Sequence, residues 1–181
     1  EDNVIYRFIN DGIFDEGVGN RINRNLVTQG ESVARLKDQT FNEAFYGCIN
    51  IRRGTFTELN DNVAAGCAQA GFITIGNPVE NNYTMSNNEA RTSQHGVHMD
   101  SYHVTRPASG TTTFKDFYAW RNWDYGVYTQ SENSIEFSNI KAVDNGVGFL
   151  PFMFGPMADA HLYEDKYFSM SDSIIVGVSD A

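Results

Sequence analysis

A short apolar phrase that returns after about two dozen residues constrains the fold more than any other feature of this chain. Ile49 and Ile51 recur as Ile73 and Ile75, a step of 24 residues. A second step of 24 residues leads from Ile73 to Val97. A period in the twenties, built from short alternating segments, is typical of a solenoid whose repeats stack on one another.

A second phrase repeats between these segments and favours the same architecture. LNDNVAA at 59–65 returns as MSNNEAR at 85–91, a step of 26 residues. Looser copies follow at later positions, namely FKDFYAW at 114–120, FSNIKAV at 137–143 and MSDSIIV at 170–176. The only stretch that resembles a helix, 30–45, has a weak pattern, so paired-helix repeats are disfavoured.

We therefore predict an all-β fold, a right-handed parallel β-helix, as a single segment over 1–181 with coils of about 24–30 residues. Two inward columns and two polar stacks near the turns follow from the period, because equivalent residues of successive coils lie about 4.8 Å apart. These sets are Ile49/Ile73/Val97, Ile51/Ile75/Met99, Asn60/Ser86 and Asn62/Asn88. A β-sandwich with Asn-rich turns is the alternative, but its strands would show no longer repeat.

Both ends of the sequence are apolar, which bears on whether the solenoid is capped. The chain opens with VIYRFI at 4–9 and closes with SIIVGVSDA at 173–181. A bare end coil exposes strand edges and core, so we expect further coils or another domain on both sides.

Charge and hydropathy exclude several classes of partner. The chain carries 23 Asp and Glu against 13 Lys and Arg, a net charge of −10. Such a surface repels phosphate backbones and anionic membrane faces, so we predict no nucleic-acid partner. No run of eighteen apolar residues is present to span a membrane.

The two cysteines and one sequon are the candidate covalent features. Cys48 and Cys67 give no dense disulfide framework and no zinc pattern. If Cys48 lies above Phe72, five extended residues would separate it from Cys67 by about 16 Å, so we predict unpaired cysteines. Asn82 begins an Asn-Tyr-Thr sequon and is a candidate glycosylation site if the protein is secreted.

The densest group of potential metal ligands lies in QHGVHMDSYH. Its members are His95, His98, Asp100 and His103, and imidazoles with a carboxylate can bind zinc or copper. Strand alternation places His98 and Asp100 outward together, with His95 before the strand and His103 on the opposite side. We predict a solvated strand face and no metal or cofactor.

Arginines and aromatic residues are the candidate glycan ligands. Outward arginines of neighbouring coils, at 21, 24, 52 and 53, could clamp a carboxylate, or could pair with the protein's own acids. The aromatic residues of DFYAWRNWDY at 116–125 could form a stacking surface for sugars, but we expect most of these rings to be buried. Alternation places Phe117, Ala119 and Arg121 on one side and Tyr118, Trp120 and Asn122 on the other. The segments around Asp15 and Asp144 are predicted to be turns and not calcium loops.

Four segments together resemble the β-helix region of fibrocystin-like proteins. They are NDNVAAGCAQAGFITIG at 60–76, FYAWRNWDYGVYTQ at 117–130, IKAVDNGVGF at 140–149 and IIVGVS at 174–179. The resemblance covers about residues 40–178. It implies a large extracellular or cell-surface protein in which such parallel β-helix (PbH1) repeats follow a G8 domain, with a ciliary surface among the implied locations. The same superfamily is similar to cell-surface hyaluronidases and hyaluronan-binding proteins.

The resemblance implies a non-catalytic structural or interaction segment whose rigid β-helix presents a binding face. Its expected partners are other extracellular or membrane proteins and glycans, as part of a larger polypeptide. Where the related enzymes carry His-rich and acidic stretches, this chain has NRINRNLV (20–27), INIRRGT (49–55) and FITIGNP (72–78). The alternative is a polysaccharide-degrading enzyme, hyaluronidase-like or lyase-like, and its carboxylates would be Asp100, Asp124 and Asp144.

Overall fold

The computed structural model describes residues 1–31, 46–51, 55–74, 84–100, 111–131, 134–153 and 166–177. These residues form β-strands joined by turns. Within these ranges no helix is long and apolar enough to cross a membrane. The weak helical pattern at 30–45 falls almost entirely on residues outside them.

Seventeen short strands make up the described chain. They are β1 (Val4–Ile9), β2 (Ile13–Phe14), β3 (Val18–Asn23), β4 (Leu26–Glu31), β5 (Gly47–Ile51), β6 (Thr55–Asn60), β7 (Val63–Ala65), β8 (Ala70–Thr74), β9 (Thr84–Arg91), β10 (His95–Asp100), β11 (Thr111–Trp120), β12 (Tyr125–Ser131), β13 (Ser134–Ser138), β14 (Lys141–Val143), β15 (Val147–Met153), β16 (Phe168–Ser171) and β17 (Ile174–Val176).

The strands stack into two parallel sheets, which confirms the solenoid and rules out the antiparallel sandwich. The long sheet has eleven strands, with the central order β1-β4-β7-β9-β11-β13-β16. The short sheet has six strands in the order β15-β12-β10-β8-β5-β2. The chain therefore passes through both sheets in each coil, and strands pair with their equivalents in the adjacent coils. The right-handedness of the coil stays a prediction.

The predicted buried column was wrong at one position. Ile49 pairs with Phe72, and Phe72 pairs with Val97, so Ile49 and Val97 share a buried column through Phe72. Ile73 lies in the neighbouring column, next to Asn50 and His98. Two steps of 24 residues misplace Ile73 by one because the coils differ in length at their corners.

The second predicted column was wrong at the same coil. Ile51 pairs with Thr74, and Thr74 pairs with Met99, so Ile51 and Met99 share a column through a threonine. All three side chains are buried. Ile75, which the period placed there, lies outside the described residues.

Small residues face one another where the two sheets approach most closely. On the long sheet, Ala64, Ala90, Ala119 and Ala142 stack in one fully buried column. Glycines of the short sheet lie opposite them. A Cβ atom at Gly71 would come within 2.8 Å of the Ala90 Cβ atom, so no larger residue fits there without movement.

Asparagine ladders hold the corners of successive coils together, as the repeated Asn phrases predicted. The Asn62 backbone and side-chain N–H groups both donate to Asn88 Oδ1, at 3.0 Å each. Ser86 similarly donates to Asn60 Oδ1. The residues with positive φ are not the buried asparagines themselves. They lie one position earlier, at Asp61 before Asn62 and at Asn87 before Asn88. Because the amides satisfy buried backbone groups, each coil can turn sharply without a polar penalty.

The prediction of unpaired cysteines was wrong, because Cys48 and Cys67 form a disulfide with a Cα–Cα distance of 5.8 Å. Gly66, immediately before Cys67, has a φ of 65° and turns the chain sharply toward the core. The chain bends again at Ala68 and Gln69, so the extended geometry assumed from the sequence does not apply between Cys67 and β8. Cys48 lies above Gly71, since Ile49 pairs with Phe72.

Candidate binding groove

An open groove on the outer face of the long sheet is the candidate functional site. It has a volume of about 550 Å³ and crosses the corners and strands of four successive coils. Its lining combines amide, carboxylate, ammonium, aromatic and aliphatic side chains. These are Asn87, Asp116, Phe117, Tyr118, Asn139, Lys141, Val143 and Ile174.

A polar rim follows the left-handed corner of each coil. Asn87, Asp116 and Asn139 adopt φ values of 54°, 52° and 53°, a conformation that Asn and Asp tolerate better than other residues. The Asn139 Nδ2 group donates to Asp116 Oδ1 at 2.7 Å. Because all three side chains are exposed, the rim presents a row of hydrogen-bonding groups to solvent.

Two aromatic rings stack beside this rim. Tyr118 and Trp120 are two residues apart on β11, so they leave the same face of the strand. Their ring centroids lie 6.2 Å apart and their planes differ by 6°. The Arg121 guanidinium lies over the Trp120 ring at 4.9 Å. We call Tyr118 and Trp120 the aromatic pair.

Lys141 supplies the positive charge of the groove. It pairs in register with Tyr118, on β14. Two nearby guanidinium groups are already matched, since Arg91 lies 3.4 Å from Glu89 and Arg121 lies 3.9 Å from Asp144. Among the described residues Lys141 makes no ion pair or hydrogen bond, so its ammonium group is available to a ligand.

The predicted metal-ligand cluster is a stacked histidine pair on the short sheet. His95 begins β10 instead of preceding it, and its Nδ1 atom lies 3.0 Å from the Nδ1 atom of His98. The rings of Tyr125 and Tyr128 pack against them. Burial lowers the pKa of His95 to about 4, although the Asp124 carboxylate opposes this shift.

No group of three or more metal-ligating side chains forms within the described ranges. The Asp100 side chain and all of His103 lie outside them, so the prediction that His95, His98, Asp100 and His103 bind no metal stays a prediction.

The carboxylates predicted for the enzyme alternative occupy different columns. Asp124 accepts a hydrogen bond from Gln94 and lies 3.9 Å from His95. Asp144 lies instead at a corner, beside Arg121. With the Asp100 side chain outside the described residues, whether any two of these acids share one groove stays untested.

The described arginines of the predicted clamp bind acids of the protein itself. Arg24 donates to Asp2 at 2.7 Å and to Glu1 at 3.2 Å. The hydrogen bond that Arg24 donates to Asp2 raises the pKa of Arg24 further, so it stays charged at any ordinary pH. Arg21 lies 3.5 Å from Glu58. Arg52, Arg53 and the sequon residue Asn82 lie outside the described residues.

The expectation that most rings of DFYAWRNWDY are buried was wrong. Phe117 is buried, Tyr118, Trp120 and Tyr125 are half-buried, and Trp123 is 67% exposed. Strand alternation was correct as far as Trp120. It fails at Arg121, which is exposed with a φ of 52°, and at Asn122, which is buried.

Sequence reasoning missed Asp116, Asn139 and Lys141 as members of a site. Their signal was present, because aligning FKDFYAW with FSNIKAV places Asp116 beside Asn139 and Tyr118 beside Lys141. Asp116, Asn139 and Lys141 are exposed, so they lie outside the buried columns that make the repeat recognisable.

The whole chain is similar to two long proteins. Human Fibrocystin-L is 30% identical over 185 residues, which cover 99% of this chain and 4% of that relative. Mouse Fibrocystin is 29% identical over 181 residues, again 99% of this chain and 4% of the relative. The predicted resemblance to fibrocystin-like proteins is confirmed at this level, whereas the relation to hyaluronidases stays a prediction. No family model and no solved structure matches the chain.

Proposed function

We propose that this chain is a rigid, non-catalytic segment of a large fibrocystin-like surface protein, and that its groove binds a glycan. The observation that carries the proposal is the aromatic pair beside an unpaired lysine and an exposed Asp–Asn rim. The relatives' great length, of which this chain spans about 4%, supports the role of a segment within a larger polypeptide. An extracellular or ciliary surface is the location that we propose for it.

Rigidity follows from how the coils are joined. Each corner is fixed to the next by buried asparagine amides, and the sheets by continuous parallel pairing. Contacts between adjacent coils stiffen a solenoid along its axis. Outward side chains are therefore held at fixed spacings, which lowers the entropy lost when a repeating ligand binds.

Groove chemistry favours a sugar over an apolar ligand. A pyranose ring has an apolar C–H face, which suits the flat face of Tyr118, and a rim of hydroxyl groups, which suits Asp116 and Asn139. Binding sites typically combine an apolar surface with a few placed polar groups in this way. Lys141 adds a preference for a sugar that carries a carboxylate or sulfate.

Titration with three hexasaccharides tests the proposal. Cellohexaose is neutral, an oligogalacturonate hexasaccharide is carboxylated, and a heparin hexasaccharide is sulfated. We expect the acidic probes to bind more tightly, and Tyr118→Ala to weaken every probe roughly tenfold. Tyr6→Ala is the matched control, because Tyr6 is an exposed ring on the same sheet, three coils away from the nearest edge of the groove at Asn87.

Lys141→Gln separates charge from stacking. We expect it to weaken the acidic probes and to leave cellohexaose unchanged. If none of the three probes binds, or if Tyr118→Ala and Tyr6→Ala weaken binding equally, the glycan proposal is wrong and a protein ligand takes its place.

A further inference from the structure

The groove runs along the axis of the solenoid, across its strands. Tyr118, Lys141 and Ile174 line it in a single column, since Tyr118 pairs in register with Lys141, and Lys141 with Ile174. Adjacent parallel strands are about 4.8 Å apart, so a linear ligand in the groove meets a new coil at each step of that length. An extended chain of pyranose rings advances by about this distance per sugar. Each coil therefore has room for one sugar.

The other path from Tyr118, along β11 to Trp120, is obstructed. The Arg121 guanidinium lies over the Trp120 ring, 4.9 Å from its centroid. A cation over an aromatic ring takes the place that a stacking sugar would need. Arg121 also lies 3.9 Å from the Asp144 carboxylate, which helps to hold it there. Trp120 accordingly does not line the groove, whereas Tyr118 does, so the open path is the one along the axis.

Charge changes from coil to coil along this axial path. Among the described residues Lys141 is the one cation that lines the groove, and its column neighbours Tyr118 and Ile174 are uncharged. Asp116, two residues before Tyr118, adds a carboxylate to the coil of Tyr118. In the coil of Lys141 the equivalent corner residue is the amide Asn139. A sugar carboxylate is therefore attracted at Lys141 and repelled one coil away.

The coil on the far side of Tyr118 adds no net preference. Glu89 pairs in register with Tyr118, and its carboxylate lies 3.4 Å from the Arg91 guanidinium. These two charges offset each other at the surface. Lys141 therefore determines where an acidic sugar lies in the groove.

We propose that the groove binds a linear glycan along the solenoid axis, one sugar per coil, with an acidic sugar at Lys141 and uncharged sugars at Tyr118 and Ile174. The ligand class is a polysaccharide in which acidic and uncharged sugars alternate. This inference rests on the proposed glycan binding and adds its direction and charge pattern. A polymer that is acidic at every sugar must place a carboxylate beside Asp116, which weakens its binding.

Two galacturonate hexasaccharides that differ only in esterification test the charge pattern. One has every carboxyl group free, and in the other every second carboxyl group is a methyl ester. Each is titrated into the full chain by calorimetry at low ionic strength, where charges are least screened. We expect the alternating probe to bind at least about fourfold more tightly, the effect in water of one like charge about 5 Å away.

Neutralising Asp116 should abolish this difference. Asp116→Asn should bring the fully acidic probe to within about twofold of the alternating one. Asp61→Asn is the matched control, because Asp61 accepts from Asn87 at 2.6 Å as Asp116 accepts from Asn139 at 2.7 Å, but does not line the groove. Both substitutions change the net charge equally, so general repulsion between the acidic chain and the probe cancels.

Two cations near Tyr118 test the direction. Lys141→Gln, one coil along the axis, should weaken the alternating probe about fivefold, and Arg121→Gln, three residues along the strand, by less than about twofold. An equal loss in both variants would show that the sugars follow β11 and would overturn the axial direction.

The outcomes separate this inference from the proposed function. Equal affinity for the two probes, or equal effects of Asp116→Asn and Asp61→Asn, would overturn the charge pattern while glycan binding itself stands. If neither probe nor cellohexaose binds, the proposed function fails and this inference fails with it.

Discussion

The Cys48–Cys67 disulfide occupies two positions at which other coils have a glycine and an asparagine. The other coils therefore indicate which residues could replace the two cysteines. Cys48 lies in the glycine column above Gly71. Cys67 lies one coil before Ser93, in the corner column that Asn122 and Asn145 continue. In a later coil, a Cβ atom at Gly96 would lie 3.0 Å from Asn122 Nδ2. We predict that Cys48→Gly with Cys67→Asn preserves the fold in the absence of the disulfide.

The magnitudes follow from loop entropy and hydrogen bonding. The cysteines are 19 residues apart, and closing a loop of that size stabilises a protein by about 3 kcal/mol. By the geometry of Asn122, the introduced amide would accept from the Gly30 N–H and donate to the Val27 carbonyl. Two such bonds contribute about 2 kcal/mol together. The double variant should therefore lose about 1 kcal/mol relative to the oxidised protein.

Urea denaturation followed by tryptophan fluorescence measures these differences. The matched control is Cys48→Gly with Cys67→Ala, which removes the disulfide and supplies no amide. We expect it to be about 2 kcal/mol less stable than the asparagine variant, with the same m-value. If the two variants unfold at the same urea concentration, the idea that the disulfide replaces a ladder residue is refuted.

Two further predictions concern buried polar groups. Because the pKa of His95 is lowered to about 4, the unfolded chain binds more protons between pH 4 and 6.5. Stability should therefore be constant above pH 6.5 and fall below it, by about 2 kcal/mol at pH 5; in chemical denaturation at both pH values, His95→Phe should lose this component. Asn122→Ala leaves the Ser93 N–H buried without an acceptor and should cost about 3 kcal/mol. Asn139→Ala, at an exposed corner, should cost under about 1 kcal/mol in the same assay. If Asn122→Ala and Asn139→Ala lose equal stability, the buried asparagines do not stabilise the corners in this way.

The architecture was predictable from the sequence because stacked coils need similar residues at equivalent positions, so the same pattern recurs along the chain. Parallel strands place equivalent residues above one another, so the Ile and Asn phrases had to recur. The pairs Asn60/Ser86 and Asn62/Asn88 were correct because corners are fixed by buried amides, which tolerate few substitutes. A period therefore identifies parallel stacking even when only three or four copies are visible.

Errors arose where the chain leaves regular strand geometry. Ile73 was misplaced by one residue, because the coils differ in length at their corners. A constant step of 24 residues therefore does not follow the paired positions in every coil. The disulfide was missed because the chain bends at Ala68 and Gln69, so an extended-strand distance overestimates how far Cys67 lies from β8. Most rings of 116–125 were expected to be buried, but the left-handed Arg121 reverses the alternation, and Trp123 after it is exposed. Left-handed corner residues other than glycine carry a weak sequence signal, so these breaks were not visible.

The groove residues that stabilise the solenoid can be distinguished from those that have no structural role. Stacked carboxylates about 5 Å apart would repel by about 1 to 3 kcal/mol at effective dielectric constants of 80 to 20. The alternation of Asp116 and Asn139 thus has a structural cause, whether or not a ligand binds. Lys141 and Tyr118 have no such cause, since Lys141 has no partner among the described residues and Tyr118 is only half-buried. Specificity in this groove must therefore rest on the two residues that the solenoid does not need.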